Sequence, residues 1–149
     1  MRKVYVILAG LVVVAGILQF YFAAVGAFTS PQTDGSYALH SLTGMAVIPG
    51  LAVLATVAAA LARAPWRMVA MTMLPFGLVI VQMLLVALGK AFSDSTGNST
   101  PVGLAIVGLH GVNGMLVIGA AAAVLRRARA FAAPVPAEGA VAVPAGSAS

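Results

Sequence analysis

The chain has no cysteine, only three acidic residues in 149, and a single tryptophan. Without cysteine there is no disulfide framework, no thiolate metal site and no iron–sulfur cluster. Charged residues make up 7% of the chain and hydrophobic residues 62%, whereas soluble domains carry about 25% charge. No Asp or Glu falls inside any long apolar run, which excludes an acidic proton or cation relay. Also missing are a glycine-rich phosphate loop, a nucleophile paired with a base, and a His-x-x-x-His metal spacing.

What is present is four stretches nearly free of charge, at 4–28, 37–62, 68–92 and 102–125. Each is long enough to cross a ~30 Å hydrocarbon core with some tilt. Only His40, Lys90 and His110 bring a basic side chain into them. These stretches predict an all-α fold, an up-down-up-down four-helix transmembrane bundle over residues 1–129. The first apolar run exceeds the 7–15 residues of a typical signal-peptide core, so it reads as a retained span. From Ala130 to Ser149 the chain turns to Ala, Pro, Gly, Val and Ser, with Glu138 its one charge. Pro134, Pro136 and Pro144 rule out a continuous helix there, and a disordered cytoplasmic tail is expected.

The basic residues set an orientation. Arg2, Lys3, Arg63, Arg67, Arg126, Arg127 and Arg129 fall on one side if the chain crosses four times. Lys90 lies at the opposite end of span three, and Asp34 and Asp94 lie in the two loops on that side. The positive-inside rule predicts a multi-pass protein of the cytoplasmic membrane with both termini in the cytoplasm. The net charge of +5 is thus a topology signal rather than a nucleic-acid footprint, and the partner it implies is the lipid bilayer.

A ten-residue segment recurs in similar form, and its two copies include both histidines. Leu39-His40-Ser-Leu-Thr-Gly44-Met-Ala-Val-Ile48 matches Leu109-His110-Gly-Val-Asn-Gly114-Met-Leu-Val-Ile118 at six positions of ten. Upstream, Gln19 is followed seven residues later by Gly26, and Gln82 seven later by Gly89. The pattern reads as a tandem duplication of a two-helix unit with one imidazole per unit. Spans two and four then run in the same direction, so the two histidines face each other across the bundle. A glycine four residues after each, Gly44 and Gly114, lies on the same helical face and leaves room for a flat macrocycle. That arrangement suits a bis-histidine site for heme b, with His40 and His110 as the metal ligands. Gln19 and Gln82 are placed to orient an imidazole through its second N–H, and Lys90 either snorkels to the interface or pairs with a propionate. The competing reading makes the histidines and glutamines interhelical polar contacts and the glycines packing residues.

Two features bear on geometry. Pro49-Gly50 sits mid-span and predicts a kink in helix two. Arg63 follows His40 by 23 residues, but Arg126 follows His110 by only 16, an offset of about 10 Å along a helix. For both imidazoles to meet, span two must be longer, tilted or kinked at Pro49. Small residues, Ala52, Ala55 and Ala59 in span two and Gly111, Gly114 and Ala121 in span four, mark the expected close contacts. Ser36 is the expected N-cap of span two, and Pro101 suits the first turn of span four.

On Gln19…Gly26…His40-x-x-x-Gly44 and Gln82…Gly89…Leu109-His110-Gly-Val-Asn-Gly114, residues 4–126 resemble a family of small four-helix bacterial membrane proteins without assigned function. More distantly they resemble one half of heme A synthase and cytochrome b-like bundles. The second likeness implies His40 and His110 as axial ligands of one heme. The acidic residue that a catalytic heme A synthase half carries three positions before its first histidine is here Tyr37, and Val107 stands in the same place before His110. A single-heme electron carrier is therefore expected rather than an enzyme. The alternative is a cofactor-free accessory or structural subunit of a larger respiratory or other membrane complex.

Overall fold

In a computed structural model, which describes residues 1–33 and 35–134, the chain forms four long helices. They are α1 (Arg2–Phe28), α2 (Ala38–Leu61), α3 (Trp66–Ala91) and α4 (Pro101–Ala132), and all four are long and apolar enough to cross a membrane. Asp34 and the tail from residue 135 onward lie outside the described residues. No strand occurs among the described residues. The protein is a four-helix transmembrane bundle. α1 packs against α2 and α4, and α3 packs against the same two. The two histidine helices, α2 and α4, are therefore diagonal partners.

The bundle inverts the size pattern of a water-soluble core. Ala9, Ala15, Ala52, Ala55, Ala58, Ala59, Ala121 and Ala128 are buried, while Ile7, Ile17, Leu84, Leu104 and Leu116 are exposed to the surroundings. In lipid, burying a large apolar side chain gains little, because the acyl chains are equally apolar. Close backbone approach between small residues gains dispersion contacts instead. The expected contacts at Ala52, Ala55, Ala59 and Ala121 are present, but Gly111 is exposed and meets nothing across the bundle.

Packing fills the bundle from the end that carries the start of α1 and the last turns of α4. Tyr5, Ala9, Ala58, Ala59, Val124 and Ala128 form one buried cluster there. Val12, Ala15, Ile48, Val79, Val117 and Ala121 form the next. The Tyr5 hydroxyl ties α1 to α3 by donating to Thr72 Oγ1 at 2.8 Å, and Thr72 passes its own proton to the Met68 carbonyl at 2.7 Å. Beyond these layers, toward the loop end, the interior opens.

α2 is irregular where the proline predicts it. Ala38–Leu42 is α-helical, Thr43–Val47 is a π-helical turn, and the α-helix resumes over Ile48–Leu61. Pro49 has no N–H to give, and its ring crowds the carbonyl of residue 45. A π turn immediately upstream spreads that lesion by widening the ladder to i→i+5. α3 breaks at Met73 just before Pro75 for the same reason, between Trp66–Thr72 and Leu74–Ala91. α4 begins as expected, with Pro101 in its first turn and the Thr100 hydroxyl accepting from the Gly103 N–H at 3.1 Å. Ser36 does not cap α2. The N-cap is Tyr37 without a side-chain bond, and Ser36 Oγ instead accepts from the Thr33 N–H at 2.9 Å.

The apparent depth offset of the histidines disappears in this architecture. α4 does not stop at Arg126 but runs on to Ala132, three residues into the segment expected to be tail. Measured to the helix ends, His40 precedes Leu61 by 21 residues and His110 precedes Ala132 by 22. The arginines were the misleading markers, since those of α4 lie within its last turns.

Candidate functional site

Toward the loop end all four helices line a cavity of about 490 Å³, a usual size for a small-molecule site. All seven residues singled out from the sequence line it: Gln19 from α1, His40 and Gly44 from α2, Gln82 and Lys90 from α3, and His110 and Gly114 from α4. Phe20, Ser41, Met45, Met83, Val86 and Ala87 complete much of its wall. Lys90, itself exposed, carries the site's one ammonium group.

The two histidines meet across the bundle, their ring centroids 6.1 Å apart with 52° between the planes. Each ring is held in the same way. His40 Nδ1 donates to the Gln19 backbone carbonyl at 3.1 Å, and His110 Nδ1 donates to the Gln82 backbone carbonyl at 3.4 Å. A carbonyl oxygen can only accept, so Nδ1 carries a proton in both rings, and in a neutral ring that leaves the lone pair on Nε2. The sequence pointed to the glutamine side chains as the groups that orient the imidazoles. The main chain of those same two residues performs that role.

The repeat extends to the glycines seven residues beyond each glutamine. A Cβ on Gly26 would lie 2.6 Å from the Tyr37 ring, and one on Gly89 would collide with Val107 Cγ2. Tyr37 and Val107 occupy equivalent places, three residues before each histidine. Both glycines therefore let the histidine helix of their own unit come close enough for its imidazole to reach the preceding helix.

The glutamine side chains differ between the units. Gln82 Oε1 accepts from Asn113 Nδ2 at 2.7 Å, and that nitrogen also donates to the Leu78 carbonyl at 2.9 Å. Asn113 is buried in α4 and was visible in the repeated motif only as an unmatched position. Gln19 Nε2 rests 3.4 Å from His40 Nε2, and Gln19 Oε1 is buried with no hydrogen-bond partner among the described residues. The room beside Gly44 expected for a macrocycle holds this amide: a Cβ there would lie 2.5 Å from Gln19 Nε2. Beside Gly114 stand the Phe20 ring and the Gln82 amide, 3.3 and 3.5 Å from an added Cβ.

The donor set fits a metal held by two imidazoles. The 6.1 Å between the ring centroids is of the order that two imidazoles sharing one metal would need, given metal–nitrogen bonds of about 2.0 Å. No cluster of three or more His, Cys, Asp or Glu occurs among the described residues, so a site built wholly from protein ligands is not the chemistry these residues favour.

Residues 19–89 match a family of unknown function, DUF6220. The matched segment opens on Gln19 and closes on Gly89, and takes in His40, Gly44 and Gln82 but not His110. Comparison with curated proteins and with solved structures gives no match. The nearer of the two likenesses read from the sequence, to a family without assigned function, has a counterpart in these findings. The likeness to heme A synthase and cytochrome b-like bundles has none.

Proposed function

We propose that this chain is a cytoplasmic-membrane protein that holds one b-type heme between His40 and His110 and passes single electrons. One observation carries the reading. Two imidazoles on diagonal helices share one cavity with their ring centroids 6.1 Å apart, and each has Nδ1–H committed to a backbone carbonyl, which leaves Nε2 of each ring as the nitrogen that would bind a metal. Heme supplies a one-electron couple in a site closed to small ligands. The chain's own residues do the rest. His40 and His110 bind through Nε2, and the carbonyls of Gln19 and Gln82 raise the basicity of each ring and fix its orientation. Val79, Val86 and Val117 keep the interior dry, and the Lys90 ammonium is available to a propionate at the cavity mouth.

The protein purified from cells supplied with heme should show a reducible, low-spin b-type spectrum. Replacing either histidine with Ala should abolish that spectrum or leave a high-spin remnant. Colourless protein, correctly inserted, would remove the electron-carrier reading.

A second reading has its own support, the Gln19 amide seated against Gly44 where a macrocycle was expected. A bundle closed in this way serves as a cofactor-free accessory subunit of a larger membrane complex, its polar residues fixing helix register. Colourless protein that copurifies stoichiometrically with a membrane complex is the outcome that favours it.

A further inference from the structure

The two halves of the site share their backbone contacts and differ in one tether. In the second half the Gln82 amide is pinned by Asn113, whose nitrogen is fixed in turn on the Leu78 carbonyl. The repeat places Thr43 where Asn113 stands, and the Gln19 amide has no such anchor. Its oxygen is buried without a partner among the described residues, a costly state for an amide in a low-dielectric interior. Its nitrogen makes a long contact of 3.4 Å to His40 Nε2, beyond the usual range of a good hydrogen bond. Gln19 rests in this position only because residue 44 has no side chain. The amide thus lies over the coordinating nitrogen of His40, while among the described residues His110 forms its hydrogen bond through Nδ1 alone.

We infer that Gln19 is a positioning residue that latches His40, so that a heme entering the cavity is held first by His110 and by His40 only after the Gln19 amide has swung aside. This rests on the heme reading above. A single lone pair on Nε2 cannot serve an amide N–H and a metal together, so ligation by His40 requires that the contact break. Ligation by His110 requires nothing comparable, because Asn113 already holds the equivalent amide. The amide that leaves also gains, since its unpartnered oxygen is freed to find a donor.

The test uses the full chain, purified without heme in lipid nanodiscs, mixed with hemin and followed by rapid-mixing absorbance. The wild type should bind in two phases, a high-spin five-coordinate species converting more slowly to a low-spin six-coordinate one. His40→Ala should stop at the high-spin stage, and His110→Ala should lose the first phase. Gln19→Met keeps the length that fills the space beside Gly44 but has no N–H. It should speed the second phase by up to about tenfold, the effect expected for removing one hydrogen bond. In ligand-free protein carrying 15N-histidine, both rings should show the Nδ1–H tautomer, and Gln19→Met should move the His40 Nε2 resonance but not that of His110. Low-spin heme in the wild type with Gln19→Met kinetically and spectrally identical would overturn the latch and leave the heme site standing. Equal losses in the two histidine variants would do the same. Failure of the wild type to bind hemin would overturn both.

Discussion

Gly26 and Gly89 show what single residues contribute to this site. Each lets a histidine helix lie against the helix before it, and neither touches an imidazole. At Gly26 an added methyl would meet the Tyr37 ring and also the Ser36 carbonyl at 2.8 Å. The ring can rotate but the backbone oxygen cannot. At Gly89 it would meet Val107 Cγ2, a branched side chain with little rotamer freedom, and the Gly103 carbonyl at 3.4 Å. Gly26→Ala and Gly89→Ala should each lower stability by about 1–3 kcal/mol, the range for overpacking a fitted contact, read from thermal unfolding in detergent. Gly111→Ala is the control. That residue meets nothing across the bundle, and the exchange should be neutral or slightly stabilising through helix propensity.

At the scale of the element, α2 and the loop before α4 show what could and could not be read in advance. The four spans were legible because apolar run length alone decides them. The kink in α2 was legible from Pro49, but its form was not. Whether a ladder answers a proline with a bend or with a π turn depends on which neighbours cover the freed carbonyls, and that is tertiary information. The site residues were legible from the repeat, since rare polar side chains stand out in an apolar chain. Their contacts were not, because nothing in the motif distinguishes a glutamine side chain from its own carbonyl as partner to an imidazole. Asn113 escaped for a related reason: its first half counterpart is a threonine, so the repeat concealed the one residue that makes the halves unequal. The loop between α3 and α4 is ordered by Asp94, whose Oδ1 accepts from the Thr96 hydroxyl at 2.7 Å and from the N–H groups of Asn98 and Thr96 at 2.8 and 2.9 Å. The Thr96 hydroxyl first, and the Asn98 N–H next, hold this carboxyl below its ordinary value. A carboxylate lowered in this way orders the loop above the ordinary carboxylate range and loses that order as pH falls through the lowered value. The Thr96 and Asn98 amides should therefore be protected at neutral pH and exchange faster, relative to a loop-free reference amide, in strong acid. Asp94→Asn should weaken that protection at neutral pH while leaving the helices intact.

For the whole molecule the decisive asymmetry is between its two ends. The end that carries the start of α1 and the last turns of α4 has seven of the eight Lys and Arg residues, and one of the two buried clusters lies there. Arg2 lies over the Phe131 ring at 4.4 Å, which ties the start of α1 to the last turns of α4. Arg63 closes α2 in the left-handed conformation, φ 57°. There the Ala64 N–H returns to the Ala59 carbonyl at 3.0 Å and the Arg63 N–H to the Ala60 carbonyl at 2.9 Å, a helix stop that ordinarily falls to glycine. An arginine there accepts a strain of about 1–2 kcal/mol. Arg63→Gly should accordingly raise the unfolding temperature, and topology should survive it because six cations remain on that side. Reporter fusions after Arg63 and after Ala130 should score cytoplasmic, and fusions at Asp34 and Asp94 should score external. Removing Arg63 and Arg67 together with Arg126, Arg127 and Arg129 should erode that pattern, since only Arg2 and Lys3 would still mark the side. An external reporter after Ala130 in the unaltered chain would overturn the orientation, and would place the cavity and its two histidines toward the cytoplasmic face.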